Sequence, residues 1–297
     1  MSDTVVDDIA NAVLYEGYLL YPYRASAVKN RQRWNFGVLY PEGHGESSMQ
    51  TEVLVQAAND AYLMARVRFL HLLARDESWQ EAIEREIVLP SIRLTGAPLR
   101  QTFAFPAGSE TDGGVVRRRE VVEGAVEVQV TDATQHGLFK VRIRILNETS
   151  FGPTDANRDD ILLRSMVSTH TILTVGDGEF VSLLDPPEEL REMASTCRNV
   201  GTWPVLVGNE GQSDAMLSSP IILYDYPQIA PESPGALFDG TEIDEILTLR
   251  IMTLTDEEKH EMSQADERAR EILERTESMR AEQLMKMHGV LRGLKIP

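Results

Sequence analysis

The stretch FKVRIRIL, residues 139–146, decides the fold class. Phe139, Val141, Ile143 and Ile145 alternate with Lys140, Arg142 and Arg144. Successive side chains of a strand point to opposite faces, so this pattern marks a strand with one face in a core and a basic face outside. The alternation returns in LMARVRFLHLL, residues 63–73, where Leu63, Ala65, Val67, Phe69, His71 and Leu73 share a face. Val126, Val128 and Val130 repeat it within 115–131.

Working outward, residues 49–56 alternate before Asn59-Asp60, a turn signal that predicts a hairpin into 63–73. Gly176-Asp177-Gly178, between 166–175 and 180–184, predicts a second hairpin because glycine supplies positive φ. Residues 12–23 and 34–40 read as strands, and 107–114, rich in Gly, Ser and Asp, as a loop. WQEAIERE at 79–86 fits either two helical turns or a strand, and is read here as a short helix or a bulged connection. Asp185-Pro186-Pro187-Glu188-Glu189-Leu190 starts a helix, since proline suits the first turn and acids oppose the helix dipole. Capping signals at Thr255-Asp256-Glu257-Glu258 and Ser263-Gln264-Ala265-Asp266 introduce amphipathic helices running to about residue 294.

These signals predict a mainly β (α+β) protein, a sandwich-like β core or two packed β units with a C-terminal helical appendage. The expected units are 10–110, a first β unit, and 115–190, a second one or a continuation of the first. An α/β segment with a proline- and acid-rich strap follows over 191–254, then the helical tail over 255–297.

Composition excludes several function classes. The 297 residues, 42% hydrophobic, can bury a full core. A formal net charge of -18 argues against nucleic acid or an anionic membrane as partner, because both need a basic face. Arg117-Arg118-Arg119 is the one local reversal, and it reads as an exposed strand end. Cys197 is the single cysteine, which excludes an intrachain disulfide or a thiolate cage and points to a structural thiol. The acidic N-terminus lacks the regions of a signal peptide, and no apolar run approaches the roughly 20 residues of a membrane span. A cytoplasmic protein without membrane insertion is expected.

The chain carries no GxGxxG, GxxxxGK[ST], GxSxG or HExxH motif. His71 lies on a predicted apolar face and reads as a core histidine with satisfied nitrogens. Glu42, His44 and Glu46, in EGHGE at 42–46, place three potential metal ligands in a glycine-rich loop. They support an alternative reading, a metal-dependent hydrolase, against the ordinary one of a polar loop between strands.

The segment SSPIILYDYPQIAPESPGALFDGTEIDE, residues 218–245, combines an apolar run with prolines at 227, 231 and 234 and a series of acids. A disordered linker is poor in residues such as Ile221, Ile222, Leu223, Tyr224, Tyr226 and Phe238. Prolines keep such a segment extended and out of a central sheet. It therefore reads as an ordered strap that either covers the protein's own core or also binds a partner. The candidate partner-binding residues are Tyr224, Tyr226, Pro227, Glu232, Phe238 and Asp239.

Residues 217–259, LSSPIILYDYPQIAPESPGALFDGTEIDEILTLRIMTLTDEEK, and 13–41, VLYEGYLLYPYRASAVKNRQRWNFGVLYP, carry a resemblance. They resemble a conserved, functionally uncharacterised family encoded alongside the high-affinity uptake nickel–iron hydrogenases. The resemblance spans about 9–276, and the stretch 77–100 is shorter than the family's. It implies a non-enzymatic accessory role in assembly, maturation or structural adaptation, with a hydrogenase subunit or maturation factor as protein partner. It carries over no catalytic residue and no cofactor. A single cysteine cannot ligate nickel–iron or iron–sulfur centres of the usual type, so the chain is not the hydrogenase itself.

Overall fold

The computed structural model describes residues 2–15, 35–75, 79–112, 115–133, 137–152 and 156–228, with Lys259, Arg270, Leu273 and Glu274. The chain divides into two compact units: Met1–Leu14 with Asn35–Pro227, and Tyr15–Trp34 with Gln228–Pro297. In the second unit Lys259, Arg270, Leu273 and Glu274 are helical. The predicted caps at Thr255 and Ser263 lie outside the described residues.

The first unit is mainly β. Its strands are β1 (Ser48–Arg75), β2 (Trp79–Val88), β3 (Ile92–Arg93), β4 (Leu99–Phe105), β5 (Gly108–Asp112), β6 (Val115–Arg119), β7 (Val122–Asp132), β8 (Leu138–Asn147), β9 (Val167–Phe180), β10 (Trp203–Leu206) and β11 (Ala215–Ser219). All pair antiparallel in one sheet with the path β10-β11-β9-β1-β8-β7-β4. Residues of both expected β units, 10–110 and 115–190, enter this one sheet.

The 28-residue β1 organises the fold. Its first half pairs with β8 from Ser48 to Gln56, and its second half pairs with β2 from Arg66 to Arg75. β9 follows the other edge of β1 from Val55 to Leu70. The sheet bends along β1, and rings from β4 meet the second half of β1: Phe69 lies 6.3 Å from Phe103 and 5.6 Å from Phe105. Between these faces one apolar cluster collects Val53, Val55, Val67, Phe69, Val126, Phe139, Val141, Ile143, Leu173 and Met216, among others.

Four expectations change here, each through pairing within the sheet. Asn59-Asp60 and Gly176-Asp177-Gly178 are not hairpin turns; they lie inside β1 and β9. The register jumps there from Ala57↔Gly178 to Tyr62↔Gly176, so the two turn signals face each other across one ladder and bend both strands together. Gly178 is needed at this crossing, since a Cβ there would come within 2.6 Å of the Ala57 Cβ. Residues 79–86 form strand rather than helix, because β2 pairs along the whole second half of β1 and tertiary pairing overrides the helix-forming Glu and Gln. Residues 108–112, expected as loop, pair with β6 as β5.

The N-terminus also differs. Residues 12–15, expected as strand, belong to helix α1 (Ser2–Tyr15), while 16–23 lie outside the described residues. Val6, Ile9, Ala10 and Val13 form a helical stripe against Ile172, Val205, Val207, Ala215 and Leu217 on the outer face of the sheet. Asp7 pairs with Arg66 at 2.6 Å and Asn11 accepts from Arg68 at 2.8 Å, which fixes the helix on β1. Of the stretch 34–40, expected as strand, the described residues 35–40 form no strand, and Leu39 alone among them bridges, to Met166. Helix α2 (Arg158–Leu162) is capped by Asn157, and the expected helix after Pro187 appears as a 3-10 turn, Glu188–Leu190, continued by α3 (Arg191–Ser195).

The basic outer face of β8 is neutralised on the spot. Glu52, 1% exposed, takes Lys140 at 2.9 Å and Arg142 at 2.6 Å, and its second oxygen accepts from the Arg198 amide at 2.8 Å. Burial alone would raise the Glu52 pKa, but these donors and the Lys140 charge outweigh it and hold the carboxyl below its usual value. A lowered folded pKa adds stability that is present above the unfolded value and lost as pH falls through the folded one. Glu52→Gln is expected to cost about 2 kcal/mol at pH 7 and nothing in strong acid, checked by urea unfolding at both.

Candidate functional site

The described part of the strap begins where β11 ends at the edge of the sheet. Pro220 turns the chain while packing on Gly37, where a Cβ would meet its ring at 2.6 Å. The next residues alternate in and out. Ile221 and Leu223 pack on the cluster beneath α1, whereas Ile222 is 72% and Tyr224 87% exposed.

Asp225 and Tyr226 then fasten the strap. Asp225 Oδ1 accepts from the Leu206 amide at 2.8 Å, and Oδ2 accepts from Ser182 Oγ at 2.6 Å. The Tyr226 amide donates to the Leu206 carbonyl at 2.8 Å, and its ring packs on the central core. Both backbone groups of Leu206 on edge strand β10 are thereby satisfied, and this edge cannot pair with another strand at that point. Tyr226 sits at φ 55, a strained conformation for a residue with a Cβ, which the double anchor enforces.

The structure thus separates the predicted residues. Tyr226 is turned inward and lines the protein's own core. Tyr224 is turned outward, and Pro227 is half-buried beyond the anchor. Glu232, Phe238 and Asp239 lie outside the described residues. Sequence reading passed over Ile222 as an outward residue and Asp225 as an anchor. The period-two alternation of Ile221, Ile222, Leu223 and Tyr224 was the available signal for the first, and nothing local pointed from Asp225 to Leu206.

The EGHGE loop is not assembled as a metal centre. His44 Nε2 lies 3.1 Å from the Phe151 carbonyl, so it is the protonated nitrogen, and the ring packs 5.2 Å from Phe151. Glu42 and Glu46 face solvent, and no group of three His, Cys, Asp or Glu among the described residues is placed to hold a metal.

Cys197 sits half-buried beside Leu54, Leu138, Val181 and Ala194. Burial pushes its thiol up to about 11, opposed by the Lys140 charge and reinforced by Glu52. A thiol so protonated is a poor nucleophile at neutral pH. Cys197→Ser is expected to shift stability by about 1 kcal/mol or less, and the native thiol to react with Ellman's reagent far more slowly than the urea-unfolded chain. Fast native labelling contradicts this.

Arg117, Arg118 and Arg119 lie on β6 as the expected strand end, each with a carboxylate: Glu81, Glu120 and Glu110. His71 departs from expectation. It is fully buried, and although the Glu120 and Leu163 backbone carbonyls lie near its ring, neither nitrogen makes a well-aligned hydrogen bond.

Comparison with protein-family models gives no match, and comparison with curated proteins gives none.

Proposed function

We propose that this chain is a non-enzymatic accessory protein of a nickel–iron hydrogenase system, acting in assembly, maturation or structural adaptation by protein–protein binding through its strap. The observation that carries the binding role is the alternation on the strap. Ile222 and Tyr224 are 72% and 87% exposed although the residues between and after them are anchored. An exposed tyrosine on a backbone already fixed loses little conformational freedom when a partner covers it. Trp203 on β10, 44% exposed, adds an aromatic group on the strand that the strap fastens. The hydrogenase assignment rests on the resemblance of residues 13–41 and 217–259. In the described residues no helix is long and apolar enough to cross a membrane.

The test is affinity purification of the tagged full chain from cells that express the uptake hydrogenase, read by mass spectrometry. Enrichment of a hydrogenase subunit or maturation factor over a tagged control is expected. Their absence from the eluate, with the chain itself folded and recovered, refutes the hydrogenase reading.

A further inference from the structure

The fully buried His71 is the least explained polar group among the described residues. Register places it on the same face of β1 as Phe69 and Leu73, across from Ile83, Arg85 and Glu81 of β2, with Arg119 of β6 opposite Leu73. Phe105 of β4 closes the group: its ring centroid lies 4.8 Å from the Arg85 guanidinium carbon and 6.5 Å from the His71 ring.

Arg85 is as unusual as His71. Its Nε is buried without a hydrogen-bond partner, and no carboxylate among the described residues forms an ion pair with it. Burial above all, then the neighbouring Arg119 cation, lowers the Arg85 pKa, and the Glu110 carboxylate nearby only partly opposes them. Arg119 donates its Nε to the Pro106 carbonyl at 3.2 Å and pairs with Glu110 at 2.8 Å. Gly108 makes room for it, since a Cβ there would lie 2.9 Å from the Arg119 terminal nitrogen. Burial above all, then Arg85, outweighs the nearby Glu120 and Leu163 carbonyls and keeps the His71 imidazole neutral, which leaves one nitrogen able to donate.

Buried polar groups in native proteins have partners, and a guanidinium whose buried Nε has none, beside a second guanidinium already paired with Glu110, is costly. Arg75 and Arg117 hold Glu81 between them, so that carboxylate is already engaged. What would satisfy Arg85 and His71 together is a small, planar or tetrahedral oxyanion, which a guanidinium fork binds best.

We propose that Arg85, Arg119 and His71, with Phe105 as the platform beneath Arg85, form a binding site for a small oxyanion, a phosphate or a carboxylate. The arginine run 117–119 does not make this site by itself; residues from β1, β2 and β4 complete it. The site is independent of the strap.

The test uses the full chain in an anion-poor buffer, titrated by calorimetry with inorganic phosphate and, separately, with acetate. One saturable equivalent of at least one of them is expected, and which one binds identifies the group recognised. Binding should shift a His71 ring resonance, assigned by its loss in His71→Phe. Arg85→Met keeps the aliphatic stem over Phe105 and should weaken binding about 10-fold or more. If that variant does not fold, Arg85→Lys is read instead, with the same expectation because lysine lacks the fork. No saturable binding of either anion up to about 10 mM overturns the proposal. So does unchanged affinity in a folded Arg85 variant, or binding that leaves His71 unmoved.

Discussion

Tyr224→Ala is expected to abolish co-purification with hydrogenase components and to leave the melting transition in place. The side chain is 87% exposed, so its removal uncovers no core and opens no cavity. If it is the aromatic anchor of a partner surface, truncation costs about 2 kcal/mol of binding or more, roughly a 30-fold loss of affinity. Tyr226→Ala should do the reverse. Its ring packs on the central core, and its loss should lower folding stability by about 2 kcal/mol. Because the Asp225 bonds to Leu206 and Ser182 persist, the strap should stay in place and capture should be retained below the melting temperature. Pull-down and thermal melting of the two variants separate the roles. Undiminished capture by Tyr224→Ala rules out the strap as the partner surface.

A steep loss of stability between pH 7 and pH 4 is the second expected result. His71 and His170 are both fully buried, and both are held at about 4 rather than 6.5. For His71 the cause is burial first, then the Arg85 charge, with Arg119 adding to it and the Glu120 and Leu163 carbonyls opposing them. Burial also dominates at His170; the Ser168 carbonyl offsets part of it, Arg68 and Arg66 add to it, and Glu84 opposes them. Below about 6.5 the unfolded chain takes up protons that the folded one refuses. Stability is therefore complete above that pH and falls until about 4. Each histidine accounts for about 3 kcal/mol, against an ordinary domain stability of about 5–15 kcal/mol. Urea midpoints at pH 7.5 and pH 4.5, in phosphate-free buffer, should differ strongly, and His71→Leu should remove about half of the difference. Equal midpoints at the two pH values contradict this account.

Fold class was legible because it rests on local periodicity. A strand with one buried face must alternate, and residues 63–73 and 139–146 do so, with Leu63, Val67 and Phe69 fully buried. The N-terminal helix was legible in principle from Val6, Ile9, Ala10 and Val13, but the β-branched and aromatic run beginning at residue 12 obscured it. The apolar content of residues 221–226 was legible, and in the structure that part of the strap packs and is anchored. What it does along its length was not legible, since neither Asp225 nor Tyr226 names Leu206 as its partner.

The sequence by itself determined that alternating strands build the core, that acids dominate the charge, and that Ile221–Tyr224 cannot be a solvated linker. Each is set by composition or by spacing within a few residues. Only the tertiary structure decided that Asn59-Asp60 and Gly176-Asp177-Gly178 bend two strands together instead of reversing either one. It alone decided that residues 79–86 are strand, and that His71, Arg85, Phe105 and Arg119 converge. The physical reason is common to all three. A turn dipeptide, a short amphipathic run and a lone polar side chain each have several local solutions of similar energy, and pairing with β1, supplied from a distance along the chain, selects among them.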